Sequence, residues 1–352
     1  FRSTAPFVTD AIRKRCENEV LGYTGKPDSY YNAIINWVKQ RYDLIVTKEV
    51  INFVPGIVPG IGMAMNCFTQ KGDKVMIQPP VYHPFAWVTT RNERTLVINP
   101  LRWENGMYRM DLDAFREQIK GCKLFILCNP HNPGGVVWTE AELRAIADIC
   151  YDEKVLVFSD EIHADLTLPP HTHRPFATVS EKARMNSVTF MSPSKAFNMP
   201  GLSASHALIF NEDLRKRFRI YMDAGELDMG HVFAFLSVEA AYSHGTEWLD
   251  QCLAYIQGNI DFVDEFLKKH APKIKAIRPE ASYLVWLDCR ELELSQKDLN
   301  EFFVDKAHLA LNDGEMFGKE GIGFMRLNVA SPRCIIEKAM KQLADAYQLY
   351  IK

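Results

Sequence analysis

Three apolar runs in the middle of the chain constrain its fold more than any other feature. They cover residues 124–128, 155–158 and 187–191, and each run ends at a polar or proline-containing turn. Between the first two, Thr139 and Glu142 form a capping box, after which apolar residues recur at helical spacing. Strand, helix and strand in this order predict parallel pairing with a right-handed crossover. We therefore expect an α/β sheet that is covered by helices on both faces.

The remaining pattern predicts a second, smaller unit. Further strand-like segments lie at residues 75–77, 95–98, 283–287 and 324–327. A chain of 352 residues exceeds the usual limit for one compact core, and the alternation of strand and helix changes near residue 270. We assign residues 29–267 to a large domain and residues 1–28 and 268–352 to a small α+β domain.

The composition is that of an ordinary folded protein and argues against several classes of function. Lys and Arg total 41 against 44 for Asp and Glu, and no basic stripe is interleaved with aromatic residues, so nucleic acid is not an expected partner. Neither a membrane-spanning apolar run nor a signal-peptide leader is present in this sequence. The eight cysteines are dispersed without Cys-x-x-Cys spacing, which indicates reduced thiols in a cytoplasmic protein.

Polar residues follow the predicted strand ends. Asn132, Asp160 and Lys195 each come soon after one of the three apolar runs, and ligands of α/β sheets bind at this edge. Upstream, the glycine-flanked turn at 56–60 precedes a predicted helix, with Pro59 suited to its first position. Free amides at such a helix start favour an anion. Taken singly, Lys195 could still be a surface charge, Asp160 a helix cap and Asn132 a turn residue.

Several longer strings are more specific than any single residue. The most informative are NPHNPGG at 129–135, SDEIHAD at 159–165, QPPVYHPF at 78–85, PSKAFN at 193–198 and RLNVASPR at 326–333. Over nearly the whole chain, these strings resemble the pyridoxal-phosphate-dependent class I/II aminotransferase superfamily. Within it, the chain is most similar to the cystathionine β-lyase branch. The resemblance implies fold type I, a mainly parallel sheet between helices with a smaller α+β domain.

The resemblance implies how a pyridoxal 5'-phosphate cofactor would be held by its ring. Lys195 matches the catalytic lysine that binds the aldehyde as an imine, and Asp160 matches the acid that keeps the ring nitrogen protonated. Asn132 and His163 match residues near the ring hydroxyl oxygen. Tyr82 matches the aromatic residue that stacks on the ring, with packing in a proline-rich turn as its alternative.

The resemblance also implies a phosphate site. The amides of Ile57 and Val58 are expected to face the phosphate, and the hydroxyls of Ser192 and Ser194 to donate to it. Tyr23 matches a tyrosine that reaches the phosphate of the neighbouring subunit. This match implies a homodimer with shared active sites.

The substrate implied is an amino acid, whose carboxylate a bidentate arginine would bind. Arg326 matches that position, whereas Arg333 is expected to be structural. Ser203 stands where many aminotransferases carry a phosphate-binding arginine, which weakens a transaminase interpretation. We expect a carbon–sulfur β-lyase that cleaves L-cystathionine or other cysteine S-conjugates to a thiol, pyruvate and ammonia. An aminotransferase is the alternative.

Three other functions fit the sequence less well. A scaffold protein without turnover conflicts with the intact set of candidate catalytic residues, and a nicotinamide dehydrogenase would need a Gly-x-Gly-x-x-Gly turn after its first strand. A metal site is not expected, because the acidic and histidine residues lack helical His-x-x-x-His spacing. The residues considered for it are Glu161, His163, Asp165, His171 and His173. A segment before Phe1, which in this family contributes to the substrate entrance, is expected to be missing.

Overall fold

The computed structural model describes residues 3–350, which form three sheets. The strands are β1 Ile51–Val54, β2 Lys74–Ile77, β3 Thr95–Ile98, β4 Arg102–Glu104, β5 Met107–Arg109, β6 Cys122–Cys128, β7 Leu156–Asp160, β8 Ser187–Met191, β9 Ser205–Leu208, β10 Lys275–Ile277, β11 Leu284–Asp288, β12 Asn312–Asp313 and β13 Phe324–Asn328. The large sheet has the order β1-β9-β8-β7-β6-β2-β3. Its strands run in one direction except β9, which is antiparallel to both neighbours. The predicted mainly parallel sheet is confirmed.

Helices cover this sheet and fill the space around the second one. They are α1 Pro6–Cys16, α2 Asp28–Tyr42, α3 Ile57–Phe68, α4 Pro84–Arg91, α5 Leu112–Gln118, α6 Glu140–Asp152, α7 Glu181–Met185, α8 Glu212–Asp223, α9 Val232–His244, α10 Thr246–His270, α11 Gln296–Glu301 and α12 Arg333–Tyr350. The last turn of α11 continues as a π-helix at Phe302–Lys306. Among the described residues, no helix combines the length and apolarity needed to cross a membrane.

The crossover from β6 to β7 forms as the sequence predicts. The hydroxyl of Thr139 accepts a bond from the Glu142 amide at 3.2 Å, and the Glu142 carboxylate accepts one from the Thr139 amide at 2.8 Å. This capping box fixes the start of α6 and contributes about 1 kcal/mol. Leu143 and Ile146 on its inner face are fully buried. The helix therefore packs one apolar stripe onto the sheet.

Alternate residues of β6 build two separate cores. Phe125 and Leu127 pack on one face with α5 and α6, whereas Leu124 and Ile126 pack on the other with α3, α4 and α8. This alternation follows from the period of two residues in a strand. Each of these fully buried side chains contributes about 1.5–3 kcal/mol through the hydrophobic effect. The sheet is thus buried on both faces, which leaves its strand ends as the place for polar groups.

The second sheet is antiparallel, with the order β10-β11-β13-β12, and α10 packs against α12 beside it. At the start of the chain, α1 packs against α9, and Phe7 makes edge contacts with Phe197 and Trp248. These contacts tie the first helix to elements that we assigned to the large domain. The division at residues 29 and 267 stays a prediction.

Backbone hydrogen bonds join the loop after β6 of the large sheet to the segment before β11 of the second sheet. The carbonyl of Gly135 accepts bonds from the amides of Glu280 at 2.8 Å and Ala281 at 3.1 Å. The Val137 amide donates to the Glu280 carboxylate at 2.8 Å. Gly135 has a φ of +69°, and a Cβ there would lie 2.5 Å from the Cβ of Pro279. Only glycine fits this position without moving one of the two segments.

Candidate active site

A cavity of about 470 Å³ lies at the carboxyl ends of β6, β7 and β8. The start of α3 and the strand β13 close two of its sides. Nine residues predicted from the sequence line it: Ile57, Val58, Tyr82, Asn132, Asp160, His163, Ser194, Lys195 and Arg326. Two other predicted residues, Ser192 and Tyr23, lie outside this lining. The fold therefore brings together residues that are up to about 270 positions apart in sequence.

Asp160 is the last residue of β7 and is only 4% exposed. Its Oδ1 accepts a bond from the Ile162 amide at 3.1 Å. Burial raises the pKa of Asp160 to about 7, although that amide and the charge of Lys195 favour the ionised form. A short 3-10 turn follows the strand instead of an α-helix, so the helix-cap alternative is wrong. Asp160 is thus a buried acid whose ionised form a cationic ligand group would stabilise.

Lys195 lies in the turn that follows β8, facing the same cavity. Its neighbours Ala196 and Phe197 are fully buried and anchor the turn. Burial lowers the pKa of Lys195, and the positive charge of Arg326 acts in the same direction, whereas Asp160 opposes both. An amine with a lowered pKa is neutral more often and is a better nucleophile and base. Lys195 is therefore not a solvated surface charge.

Arg326 projects from β13 and has no acidic partner within salt-bridge distance among the described residues. Its Nη1 donates to Asn132 Oδ1 and its Nη2 to Asn312 Oδ1, both at 2.8 Å. The Nε is buried without a partner, and the guanidinium lies 4.6 Å from the Phe317 ring centroid. Burial lowers the pKa of Arg326 to about 10. A partly desolvated cation with a free donor is suited to a carboxylate.

The start of α3 supplies free backbone donors. The first intrahelical bond runs from the Gly60 amide to the Gly56 carbonyl at 2.9 Å, so the amides of Ile57 and Val58 precede the helical ladder. Both residues line the cavity. Pro59 is the third helical residue, so the prediction that it occupies the first position was wrong. A proline is tolerated there because the amides of the first turn have no intrahelical acceptor.

The two serines predicted to donate to a phosphate differ in their surroundings. Ser194 lines the cavity. Ser192 is buried, and its hydroxyl donates to the Ala204 carbonyl at 2.7 Å while it accepts from the Ser194 amide at 3.1 Å. Because a hydroxyl has one proton, Ser192 has none left for a ligand in this arrangement. In this arrangement Ser192 holds the loop that carries Ser194, and its contact with a phosphate stays a prediction. Ser203 lines the cavity nearby.

His163 and Tyr82 also line the cavity. Burial lowers the pKa of His163 to about 3, and the charges of Lys195 and Arg326 act in the same direction, so this imidazole is neutral. Its Nδ1 is buried without a partner. Tyr82 is half-buried, and burial raises the pKa of its hydroxyl. The oxygen of Asn132 is already bonded to Arg326, so its amide is the group that remains free to donate.

Three of the residues considered for a metal site, Glu161, Asp165 and His173, form hydrogen bonds within the protein. The Glu161 carboxylate lies 2.8 Å from the His173 Nε2, and the Asp165 carboxylate accepts bonds from the Trp37 indole and the Tyr42 hydroxyl. No group of three His, Cys, Asp or Glu side chains in the described part of the chain is arranged to hold a metal ion. These buried acids brace the loop that follows β7.

Tyr23 lies outside the cavity, on a segment without regular secondary structure. Its side chain is fully exposed, and most of its neighbours are also exposed. The nearby side chains of Val20 and Leu21 are 71% and 64% exposed. Lys26, at the end of this segment, forms an ion pair with Asp228 at 2.7 Å. The segment therefore presents an apolar and aromatic surface to its surroundings, and its predicted contact with a second subunit stays a prediction.

Sequence reasoning gave no role to three titratable residues that also line the cavity, His83, Cys128 and Tyr283. Cys128 is the last residue of β6 and Tyr283 directly precedes β11, so the rule that ligands bind at strand ends could have found the first. His83 directly follows Tyr82, and its motif was recognised without a role for the histidine.

Comparison with known proteins identifies the family. The family model for aminotransferase class I and II matches residues 4–343. The chain belongs to the class I and II aminotransferase family. It is 37% identical to cystathionine beta-lyase PatB of Bacillus subtilis, over 96% of this chain and 88% of that protein.

Solved structures of this family are close in fold. The structure of cystalysin from Treponema denticola, which contains a pyridoxal 5'-phosphate cofactor, has a TM-score of 0.95 at 34% identity over 98% of this chain and 88% of its own. The PLP-bound C–S lyase of Staphylococcus hominis has a TM-score of 0.91 at 33% identity, over 98% of this chain and 88% of its own. These likenesses agree with the resemblance to the cystathionine β-lyase branch.

Proposed function

We propose that this protein is a PLP-dependent carbon–sulfur β-lyase, which cleaves L-cystathionine or another cysteine S-conjugate to a thiol, pyruvate and ammonia. The observation that carries the proposal is a single cavity that joins three groups: the Lys195 amine, whose pKa is lowered; the buried acid Asp160; and the Arg326 guanidinium, which has no acidic partner in the part of the chain that the structure describes. Relatives that are named cystathionine β-lyase or C–S lyase support it.

The residues present fit pyridoxal 5'-phosphate. The buried carboxylate of Asp160 would pair with the protonated ring nitrogen, which supplies the cation that this acid lacks. The free amide of Asn132 and the neutral His163 would adjoin the ring hydroxyl oxygen. Tyr82 would stack on the ring, where an aromatic side chain contributes about 0.5–1.5 kcal/mol beyond its buried area.

The phosphate and the aldehyde have separate partners. The amides of Ile57 and Val58, which point from the positive end of the α3 dipole, would bind the phosphate together with the Ser194 hydroxyl. The Lys195 amine would hold the cofactor covalently until a substrate amine replaces it.

The reaction needs a base, an anchor and an electron acceptor. When bound, the cofactor supplies a ring that stabilises the negative charge left on Cα. Lys195, once displaced by the substrate amine, removes the Cα proton, for which its lowered pKa is favourable. Arg326 holds the substrate carboxylate and so keeps Cα next to that amine. The Cβ–S bond then breaks, and the released aminoacrylate hydrolyses to pyruvate and ammonia.

Product analysis tests the proposal. Purified protein supplied with PLP is incubated with L-cystathionine, and separately with an amino acid plus 2-oxoglutarate. Release of a thiol together with pyruvate in the first mixture is the expected result. Formation of glutamate in the second mixture, without pyruvate in the first, would replace the proposed lyase with an aminotransferase.

Transamination is the second candidate, because the matching family is named for it and because it begins with the same deprotonation. The two reactions differ in whether the proton returns to the cofactor or a group leaves from Cβ. Ser203, in place of a phosphate-binding arginine, argues for the lyase.

We further propose a homodimer in which Tyr23 of one subunit reaches the phosphate in the other. Its full exposure beside Val20 and Leu21 supports this, since a partner would cover that surface. Mixing Tyr23→Phe protein with Lys195→Ala protein tests the idea, because one site of each mixed dimer then has both residues intact. Recovery of activity on mixing is expected, and its absence would contradict shared sites.

The location and domain division are proposals of the same kind. All eight cysteines are free, which supports a cytoplasmic protein with reduced thiols. Residues 29–267 as the large domain and 1–28 with 268–352 as the small one would predict a protease-sensitive site near residue 270. Limited proteolysis that leaves this region intact and cuts elsewhere would contradict the division.

A further inference from the structure

We propose that His83 donates the proton that the departing sulfur takes up when the Cβ–S bond breaks. The inference rests on the proposed lyase function, which leaves a thiolate in need of a proton. It assigns a catalytic role to a residue that sequence reasoning had passed over.

The other unassigned titratable groups of the cavity are unsuited to this step. Burial raises the pKa of the Cys128 thiol well above its usual range and the pKa of Tyr283 to about 12, so both hold their protons tightly. His83 is half-buried, and burial together with the charge of Arg326 lowers its pKa. The lowered pKa leaves only a minority of His83 as imidazolium at neutral pH. That imidazolium is a stronger acid than an alkyl thiol, whose pKa is about 8.5 or above, so it transfers its proton readily to the thiolate.

The position of His83 supports the same role. The residue directly precedes α4 and lines both the main cavity and a second cavity of about 480 Å³. That second cavity is lined by apolar residues, including Trp87 and Phe317, whose rings lie 4.4 Å and 5.8 Å from the His83 ring, and by the charged residues Glu315, Lys319 and Glu320. The Nδ1 of His83 is buried without a partner among the described residues. His83 therefore stands in the wall that the two cavities share, with one face towards the substrate site.

The step balances in atoms and charge. The Cβ–S bond breaks with its electron pair on sulfur, and the sulfur takes the ring proton of the His83 imidazolium to become a thiol. His83 is left as neutral imidazole and recovers a proton from water through the second cavity. Lys195, which carries the proton removed from Cα, is the competing donor.

A pair of substrates separates the two donors. S-methyl-L-cysteine releases a thiolate that must be protonated, whereas β-chloro-L-alanine releases chloride, which needs no proton. In the PLP-loaded His83→Asn variant, we expect kcat/KM for S-methyl-L-cysteine to fall by about 100-fold or more, because general acid catalysis contributes this much. Pyruvate release from β-chloro-L-alanine should be unchanged. The variant His171→Asn, at an exposed histidine, serves as the matched control and should behave as wild type.

Each other result has a definite meaning. An undiminished rate with S-methyl-L-cysteine would assign the proton to Lys195, and an equal loss on both substrates would place His83 in a step before the bond breaks. Either result overturns the proposal while the lyase function stands. If the wild type releases pyruvate from neither substrate, the lyase function fails and the inference fails with it.

Chemical protection provides a readout that does not depend on turnover. Diethyl pyrocarbonate modifies accessible imidazoles, and mass spectrometry of the peptide locates His83. In PLP-loaded Lys195→Ala protein, S-methyl-L-cysteine should slow this modification, because its sulfur would lie against the ring. Modification at the same rate with and without the ligand would show that the sulfur lies elsewhere.

Discussion

Replacing Arg326 by methionine should lower kcat/KM strongly while it changes the free energy of unfolding only slightly. Among the described residues, the guanidinium has no acidic partner within salt-bridge distance, and burial lowers its pKa well below its ordinary value, to about 10. A difference of this size corresponds to about 3 kcal/mol of unfavourable burial of the charge. Its two hydrogen bonds, to Asn132 and Asn312, contribute about 1.5 kcal/mol each and offset most of that cost. We therefore expect the free energy of unfolding to change by no more than about 1 kcal/mol in the absence of substrate.

The effect on catalysis should be much larger. Removing one member of a buried charge pair with the substrate carboxylate weakens that interaction by about 2–5 kcal/mol. At 1.4 kcal/mol per factor of ten, this corresponds to a loss of roughly 30-fold to 4000-fold in kcat/KM. Pyruvate release, coupled to lactate dehydrogenase, measures the rate, and urea unfolding of the same preparations measures the stability.

Arg333 is the matched control, because its guanidinium donates to the Asn259 side chain at 2.8 Å and to the Gly258 carbonyl at 2.6 Å. Arg333→Met should lower the free energy of unfolding by about 1–3 kcal/mol, since these buried acceptors are left unpaired, and should leave KM unchanged. The reasoning would be refuted if Arg326→Met lost several kcal/mol of stability or retained the wild-type kcat/KM.

Three further outcomes follow from other residues of the structure. Lys195→Ala should abolish both pyruvate release and the visible absorbance of bound cofactor, and a variant with full lyase activity would end the proposal. Because Asp160 has a pKa of about 7 without a ligand, its carboxylate is protonated below that pH and cannot pair with the cationic ring. PLP affinity, measured by fluorescence titration, should fall by up to tenfold per pH unit below about pH 7 in wild type relative to Asp160→Asn; parallel curves would contradict this. His206 is fully buried with neither ring nitrogen paired, and burial lowers its pKa to about 3. It favours folding above its unfolded pKa of 6.5 and loses this effect, by about 1.4 kcal/mol per pH unit, as the pH falls towards 3. His206→Leu should therefore show a shallower decline of unfolding free energy between pH 6 and pH 4, and an unchanged slope would contradict the assignment.

Local sequence signals were enough to predict the strands and turns that carry the main residues of the site. The capping box at Thr139, the apolar strand runs and the polar residues after them determine where Asp160 and Lys195 stand, because each signal acts within a few residues. Asn132 and Arg326 are 194 residues apart and meet through a side-chain bond between the two sheets. Periodicity carries no information about such a contact, so only the family resemblance brought Arg326 into the predicted site.

Other features of the site could not be predicted from the sequence, and the reasons are physical. The Ser192 hydroxyl donates to the carbonyl of Ala204, twelve residues away in the sequence, and only the tertiary fold brings these two groups together. Pro59 was predicted at the first position of its helix and lies at the third. Proline is compatible with any position in the first turn, so the sequence alone did not determine where the helix begins. Sequence analysis gave no role to His83, because its place between two cavities depends on the tertiary fold, which no spacing rule describes.

Gly135 fixes how closely the loop after β6 approaches the segment before β11. Its carbonyl accepts bonds from the amides of Glu280 and Ala281, and Arg326 lies on β13, the strand paired with β11. A Cβ at residue 135 would lie 2.5 Å from the Cβ of Pro279, so a larger residue would have to push these two segments apart. Such a shift would move the second sheet, and Arg326 with it, relative to Asn132, so substrate capture would suffer although every reacting group was still present.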